Sequence, residues 1–196
     1  IVALLLVGIV VFAVSKDKKR WTARMLANGA LCIALSTVLS FITLYKMPQG
    51  GSITLASMLP MFLFAYAYGV GPGMLVGAAY GFVQFLQGGL YFVHPVELLL
   101  DYPLAFAMLG LAGLSNKFSD QWGMIPGIIL GTFGRFVCAF LSGLIFFGMY
   151  APDGQNVVIY SMVYNGLYLV PEAIICIVLA MIPQIRQLAK RLALQD

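Results

Sequence analysis

The chain has 196 residues, of which 62% are hydrophobic and 9% charged, with a formal net charge of +4 and a mean hydropathy of +0.97. That is far more apolar side chain than a soluble fold of this length can hide, so the bilayer is its solvent. At about 20 apolar residues per spanning helix the chain supplies roughly six or seven spans, which leaves no room for a nucleotide-binding domain.

In chain order, residues 1–20 read as a short N-terminal hydrophobic segment, IVALLLVGIVVFAV, and a basic cytoplasmic linker holding Lys16, Lys18, Lys19 and Arg20. Residues 22–185 read as a membrane domain with spans near 22–46, 53–69, 71–91, 95–114, 124–150 and 157–183. Residues 186–196 form a basic cytoplasmic tail with Arg186, Lys190 and Arg191. The apolar runs are long and uniform rather than alternating, which favours helices over a β-barrel. The predicted fold class is therefore all-α, a six-transmembrane-helix bundle with an extra short N-terminal hydrophobic segment.

Charge placement predicts the topology. Basic residues at 16–24, Lys117 and the tail mark cytoplasmic ends, so YKMPQGGS, QGGLYFVHP and YAPDGQNV are expected outside a cell membrane that the chain crosses several times. This asymmetry accounts for the net charge without a nucleic-acid partner. The 21 glycines concentrate in spans two, three and five, where small residues let helices approach closely. No internal repeat or inverted pair is visible, which disfavours a proton-coupled secondary transporter built from two halves.

Ionisable groups at membrane depth are costly, so each is a candidate site residue. Four qualify: Glu97, Asp101, Arg135 and Glu172. Asp101 stands six residues past Pro95, roughly 9 Å along a helix at about 1.5 Å per residue, below the outer surface. In the last span Ser161, Asn165, Tyr168 and Glu172 form a polar stripe at helical spacing, flanked by Tyr160 and Tyr164. The fifth span offers Arg135, Ala139, Gly143, Phe147 and Tyr150 on one face, and the third offers Tyr80, Gln84 and Tyr91. Together these predict an outward-opening pocket of aromatic rings and two carboxylates, suited to a flat cationic or polar heteroaromatic ligand. The competing reading assigns the tyrosines to an interfacial belt and pairs Arg135 with Glu172 inside the bundle. Arg135, roughly 17 Å from Met124, is expected below the pocket in a structural role.

Catalysis is not indicated. His94 is the single histidine and precedes Pro95 in a turn, while Cys32, Cys138 and Cys176 sit in apolar runs as small core residues. Metal-ligand spacing and a GxSxG-type nucleophile are both missing from the sequence, so neither an enzyme nor a cofactor is expected.

The stretches GGSITLASMLPMFLFAYAYGVGPGMLVGAAYGFVQFLQG, HPVELLLDYPLAFAMLGLAGL, GRFVCAFLSGLIFFGMYAP and YSMVYNGLYLVPE resemble the thiamine-specific S component of energy-coupling factor (ECF) vitamin importers, over about residues 24–185. The resemblance is specific, because HPVxxLLDYPLAF and YSxxYNG hold polar residues at fixed places in apolar spans. It implies a six-helix substrate-capturing subunit of a bacterial cell membrane. Such a subunit binds thiamine from outside and works with an ECF transmembrane scaffold and two cytoplasmic ATPases. It further implies thiamine contacts at Asp101, Tyr102, Tyr80, Tyr91, Phe147, Tyr160 and Asn165, to which the helix faces add Tyr164 and Gly143, and a scaffold-binding surface at Ala30 and Ala34. Relatives often carry His where this chain has Ala139, and some carry Trp at Tyr80 or Phe147, so another heteroaromatic vitamin or a thiamine precursor is the alternative ligand.

Overall fold

The computed structural model describes Gly8 and residues 21–88, 94–117, 123–152 and 154–194. The predicted N-terminal segment, apart from Gly8, and the basic residues at 16–20 lie outside the described residues, as does Tyr91.

The first helix, α1 (Ala23–Phe41), is capped by Thr22, whose hydroxyl accepts from the Met25 amide at 3.1 Å. It buries a narrow stripe, Met25, Gly29, Cys32 and Ser36, and turns Leu26, Leu31, Leu35, Val38 and Phe41 outward. A helix apolar on its outer face stands at the edge of a membrane bundle, where lipid replaces protein as neighbour. Ala30 and Ala34 lie on that exposed side.

The first span is shorter than the predicted 22–46. The helix ends at Phe41 and the chain turns into a hairpin, β1 (Thr43–Lys46) and β2 (Ser52–Thr54), paired antiparallel with Tyr45 opposite Ile53 and Lys46 opposite Ser52. Thr and Tyr favour the extended chain, and the turn is made by Pro48 with Gly50 and Gly51, whose φ values of +97° and +81° suit glycine. The described residues are thus mainly helical, with a two-stranded hairpin beside the helices.

The next helix, α2 (Leu59–Tyr68), has 10 residues, about 15 Å of helix against a hydrocarbon core of about 30 Å. It is shorter than the span expected at 53–69 and is buried on nearly every side. After a break at Gly69 (φ +99°) comes α3 (Val70–Gln87). Its Gly73, Gly77 and Gly81 form one row against the following span. A Cβ at Gly81 would lie 2.5 Å from the Tyr102 carbonyl oxygen, so the two backbones are in direct contact.

That span, α4 (Pro95–Ser115), is irregular. It opens as an α-helix over Pro95–Leu99, widens to a π turn over Leu100–Leu104, and tightens into a 3-10 helix from Met108. Pro103 lacks the N–H that a regular ladder needs, which accounts for a departure from regular geometry there. His94 is the N-cap: its Nδ1 accepts from the Val96 amide, and the Glu97 carboxylate accepts from the His94 amide, each at 3.1 Å. Its ring also stacks on Phe146, 5.4 Å between centroids, tying the start of α4 to the end of α5.

The remaining helices are α5 (Met124–Phe146), α6 (Val157–Ala180) and the basic α7 (Pro183–Leu194), whose Ile185, Ala189 and Leu192 pack on the core around α2. Of the described helices, α1, α4, α5 and α6 are long and apolar enough to cross a membrane. All three cysteines are buried and unpaired.

Candidate functional site

A cavity of about 740 Å³ opens at the end of the bundle where α1, α3 and α5 finish and α4 and α6 begin, with the β1–β2 hairpin as a further wall. Asp101, Tyr102, Gly143, Phe147, Tyr160, Tyr164 and Asn165, which the sequence nominated, all line it.

Asp101 rides on the π turn of α4, facing α5. Its Oδ2 accepts from the Ser142 hydroxyl at 2.7 Å, and among the described residues Ser142 is its one hydrogen-bond donor. An ionised carboxylate offers about four acceptor positions, so most of Asp101's capacity is left for the cavity. Glu97, one turn earlier, also lines the cavity, but its carboxylate is engaged in the helix cap.

Aromatic rings line the mouth of the cavity. Phe147 and Tyr150 stack at 6.1 Å, Tyr160 and Tyr164 are tilted at 5.8 Å, and Tyr164 meets Tyr168 edge-on at 6.4 Å. Tyr102 is held edge-on by Phe85 at 5.3 Å. Such rings present π faces to a flat or cationic guest.

Asn165 is bonded on both sides of its amide. Its Nδ2 donates to the Ser161 carbonyl at 2.9 Å and the Ala139 carbonyl at 3.3 Å, and its Oδ1 accepts from the Tyr168 hydroxyl at 3.0 Å. It therefore locks α6 to α5. Gly143 sits at the same seam, where any Cβ would run into the Ser161 hydroxyl.

Arg135 lies elsewhere than expected. It lines the cavity, with its guanidinium 4.1 Å from the centre of the Phe106 ring. From Arg135 to the C-cap Phe147 is twelve residues along α5, so the cavity runs roughly 18 Å into the bundle, deeper than a pocket confined to the outer turns. Nor does Arg135 pair with Glu172, whose carboxylate is taken by Thr54 and Ser57.

Tyr80 does not line the cavity. It is buried between α3 and α1, donating to the Ser36 carbonyl at 3.1 Å, accepting from Gln84 at 3.0 Å and meeting Phe106 edge-on. One turn further out, Gln84 on the same face does reach the cavity. The hairpin wall, from Lys46 to Ser52, and the Ser142 partner of Asp101 were not nominated by the sequence. The glycine and proline turn in YKMPQGGS was the available signal for the former.

The chain matches the family model described as thiamine transporter protein over residues 26–192. It is 36% identical over 160 residues to the thiamine transporter ThiT of Bacillus subtilis, covering 75% of this chain and 83% of that one. With the thiamine transporter ThiT of Lacticaseibacillus paracasei it shares 32% identity over 123 residues, 56% of this chain and 61% of that one. Its fold is similar to the solved structure of ThiT from Listeria monocytogenes, with a TM-score of 0.73 at 26% identity, covering 86% of this chain and 96% of the other.

Proposed function

The chain belongs to the thiamine transporter protein family, a family of transporters rather than enzymes, and from that membership we propose that it binds thiamine in the cavity at the outer end of the bundle. The observation that carries this reading is Asp101, a carboxylate with one donor among the described residues, bordering an aromatic-walled cavity. Its 740 Å³ falls within the range of about 300–1,000 Å³ typical of small-molecule sites.

Thiamine joins a permanently cationic thiazolium to an aminopyrimidine. Asp101 offsets the cation and accepts from the amino group. Phe147, Tyr160 and Tyr164 stack on the rings, and Tyr102 closes the α4 side. Asn165 and Gly143 act by fixing the α5–α6 seam on which those rings stand. The ring faces also attract the cation, at about 0.5–2 kcal/mol per contact.

In this reading α1 to α6 are the six helices of an S component, with α2 as its short member. The cavity faces outward, because Arg186, Lys190 and Arg191 stand at the opposite end of α6 and mark the cytoplasm. Uptake is driven by two cytoplasmic ATPases through an ECF transmembrane scaffold, which docks on the exposed Ala30 and Ala34 face of α1, where small side chains allow close helix approach.

The test is calorimetry on the purified chain without ATP or partners. Saturable heat with thiamine, at one site per chain, is expected. A flat thiamine trace alongside heat from riboflavin or a bare pyrimidine would assign the cavity to another ligand.

A further inference from the structure

Glu172 lies outside the cavity, two turns of α6 below Tyr164, and is 2% exposed. Its Oε1 accepts from the Thr54 hydroxyl at 2.6 Å and the Ser57 hydroxyl at 2.8 Å, and its Oε2 from the Thr54 amide at 3.4 Å. Thr54 ends β2, and Ser57 stands just before α2, so the carboxylate holds the place where the hairpin leaves for the core. Between them Ala56, 1% exposed, has φ +58°, a left-handed conformation that a residue with a Cβ adopts at a cost and keeps where its surroundings fix it. The Ser57 amide, which donates to the Thr54 hydroxyl at 3.2 Å, closes the turn.

The outer end of the hairpin is tied to the same face of α6. Tyr164 donates to the Gly50 carbonyl at 2.8 Å and accepts from the Gln49 amide at 2.9 Å. The ring of Tyr168, one turn from each anchor, lies under Gly51, where a Cβ would be 2.8 Å from it. The outer tie is exposed, whereas the inner one is sealed from water.

We propose that Glu172 is a positioning residue of the ligand cavity: by fixing the inner end of the β1–β2 hairpin to α6, it sets the hairpin as a wall over Tyr164 and Tyr168. The role rests on the proposed ligand site, and acts through the hairpin rather than by contact with ligand. An acceptor buried at membrane depth is suited to this, because the alternative for its donors is burial without a partner.

Glu172→Leu keeps an apolar-compatible volume and removes every acceptor, while Glu172→Gln keeps one. Thiamine dissociation is followed by chase, and backbone hydrogen exchange by mass spectrometry of the full chain in detergent. The Leu variant should release thiamine about tenfold faster and exchange faster selectively at 43–54, with Gln recovering much of both. Thr54→Val, which removes the 2.6 Å partner from the hairpin side, should act likewise and serves if Glu172→Leu does not fold. Unchanged release with unchanged exchange at 43–54, or faster exchange spread evenly over the helices, would overturn the assignment. Wild-type protein that fails to bind thiamine would instead sink the ligand reading, and the exchange experiment would still decide the hairpin anchor.

Discussion

Replacing Asp101 by Asn separates charge from shape in the proposed site. The Asn side chain has the same size and keeps an oxygen that can accept from the Ser142 hydroxyl, now 2.7 Å away, so the α4–α5 contact survives. What disappears is the negative charge facing the cavity. Two unit charges about 4 Å apart interact by about 4 kcal/mol at an effective dielectric constant of about 20, which is an upper bound for a half-buried group in contact with water. Hydrogen bonds to charged groups are worth about 1.5–3 kcal/mol, and this narrower range is the better guide. It corresponds to a dissociation constant weakened roughly 10- to 150-fold. The assay is calorimetric titration in detergent, with a thermal melt to check that the fold is intact. An uncharged aminopyrimidine should lose less than thiamine, because only the ring cation senses the missing charge. Asp101→Glu, which keeps the charge and adds one methylene, should be milder than Asn. An Asn variant that binds thiamine as tightly as the wild type would remove Asp101 from the site and leave it as the partner of Ser142.

Tyr80→Phe should lower stability by about 1 kcal/mol through loss of the bond to the Ser36 carbonyl, yet leave thiamine affinity within about twofold, since the ring is behind the cavity wall; a melt and a titration on the same sample read both. Gly143→Ala should weaken binding about tenfold, because the new Cβ meets the Ser161 hydroxyl and pushes α6 away from α5 at a cost of about 1–3 kcal/mol. Normal affinity in that variant would show that the seam yields without disturbing the rings. Ala30→Trp or Ala34→Trp should leave binding intact and abolish uptake in cells carrying the ATPase module, since both positions face outward. Loss of binding in the purified variant would place that face inside the bundle instead.

Hydropathy located the long spans well. The expected segments at 124–150 and 157–183 compare with Met124–Phe146 and Val157–Ala180, because a helix that must satisfy its own backbone in lipid ends where the apolar run ends. It failed at the end of α1, where Thr43–Lys46 follows on without a polar break and forms a strand instead. Nothing in mean hydropathy separates those two backbones. Periodicity carried the site further. Ser161, Asn165, Tyr168 and Glu172, read as one stripe, are all buried against α5 or the hairpin. It misjudged depth, however. Tyr80 and Gln84 share a helix face, but only Gln84 reaches the cavity, because the α1 backbone at Ser36 covers the turn below. Arg135 was placed by its distance from a helix end, which says nothing about how far a cavity follows the helix inward.

Asp101 and Glu172, both carboxylates within apolar spans, differ in the number of donors the protein gives them. Glu172 receives two hydroxyls and an amide from a single turn of chain, and its lone pairs are largely used. Among the described residues Asp101 receives one hydroxyl, and it borders open volume lined by aromatic rings. Leaving a charge short of donors is expensive at membrane depth, so a fold that does so at one carboxylate and not at the other has left room for a cation to complete the first. On this count Glu172 holds protein to protein, and Asp101 is the carboxylate proposed to meet the ligand. The donors themselves could not be read from spacing along the chain, because they come from the end of the hairpin and the turn after it, 118 and 115 residues away.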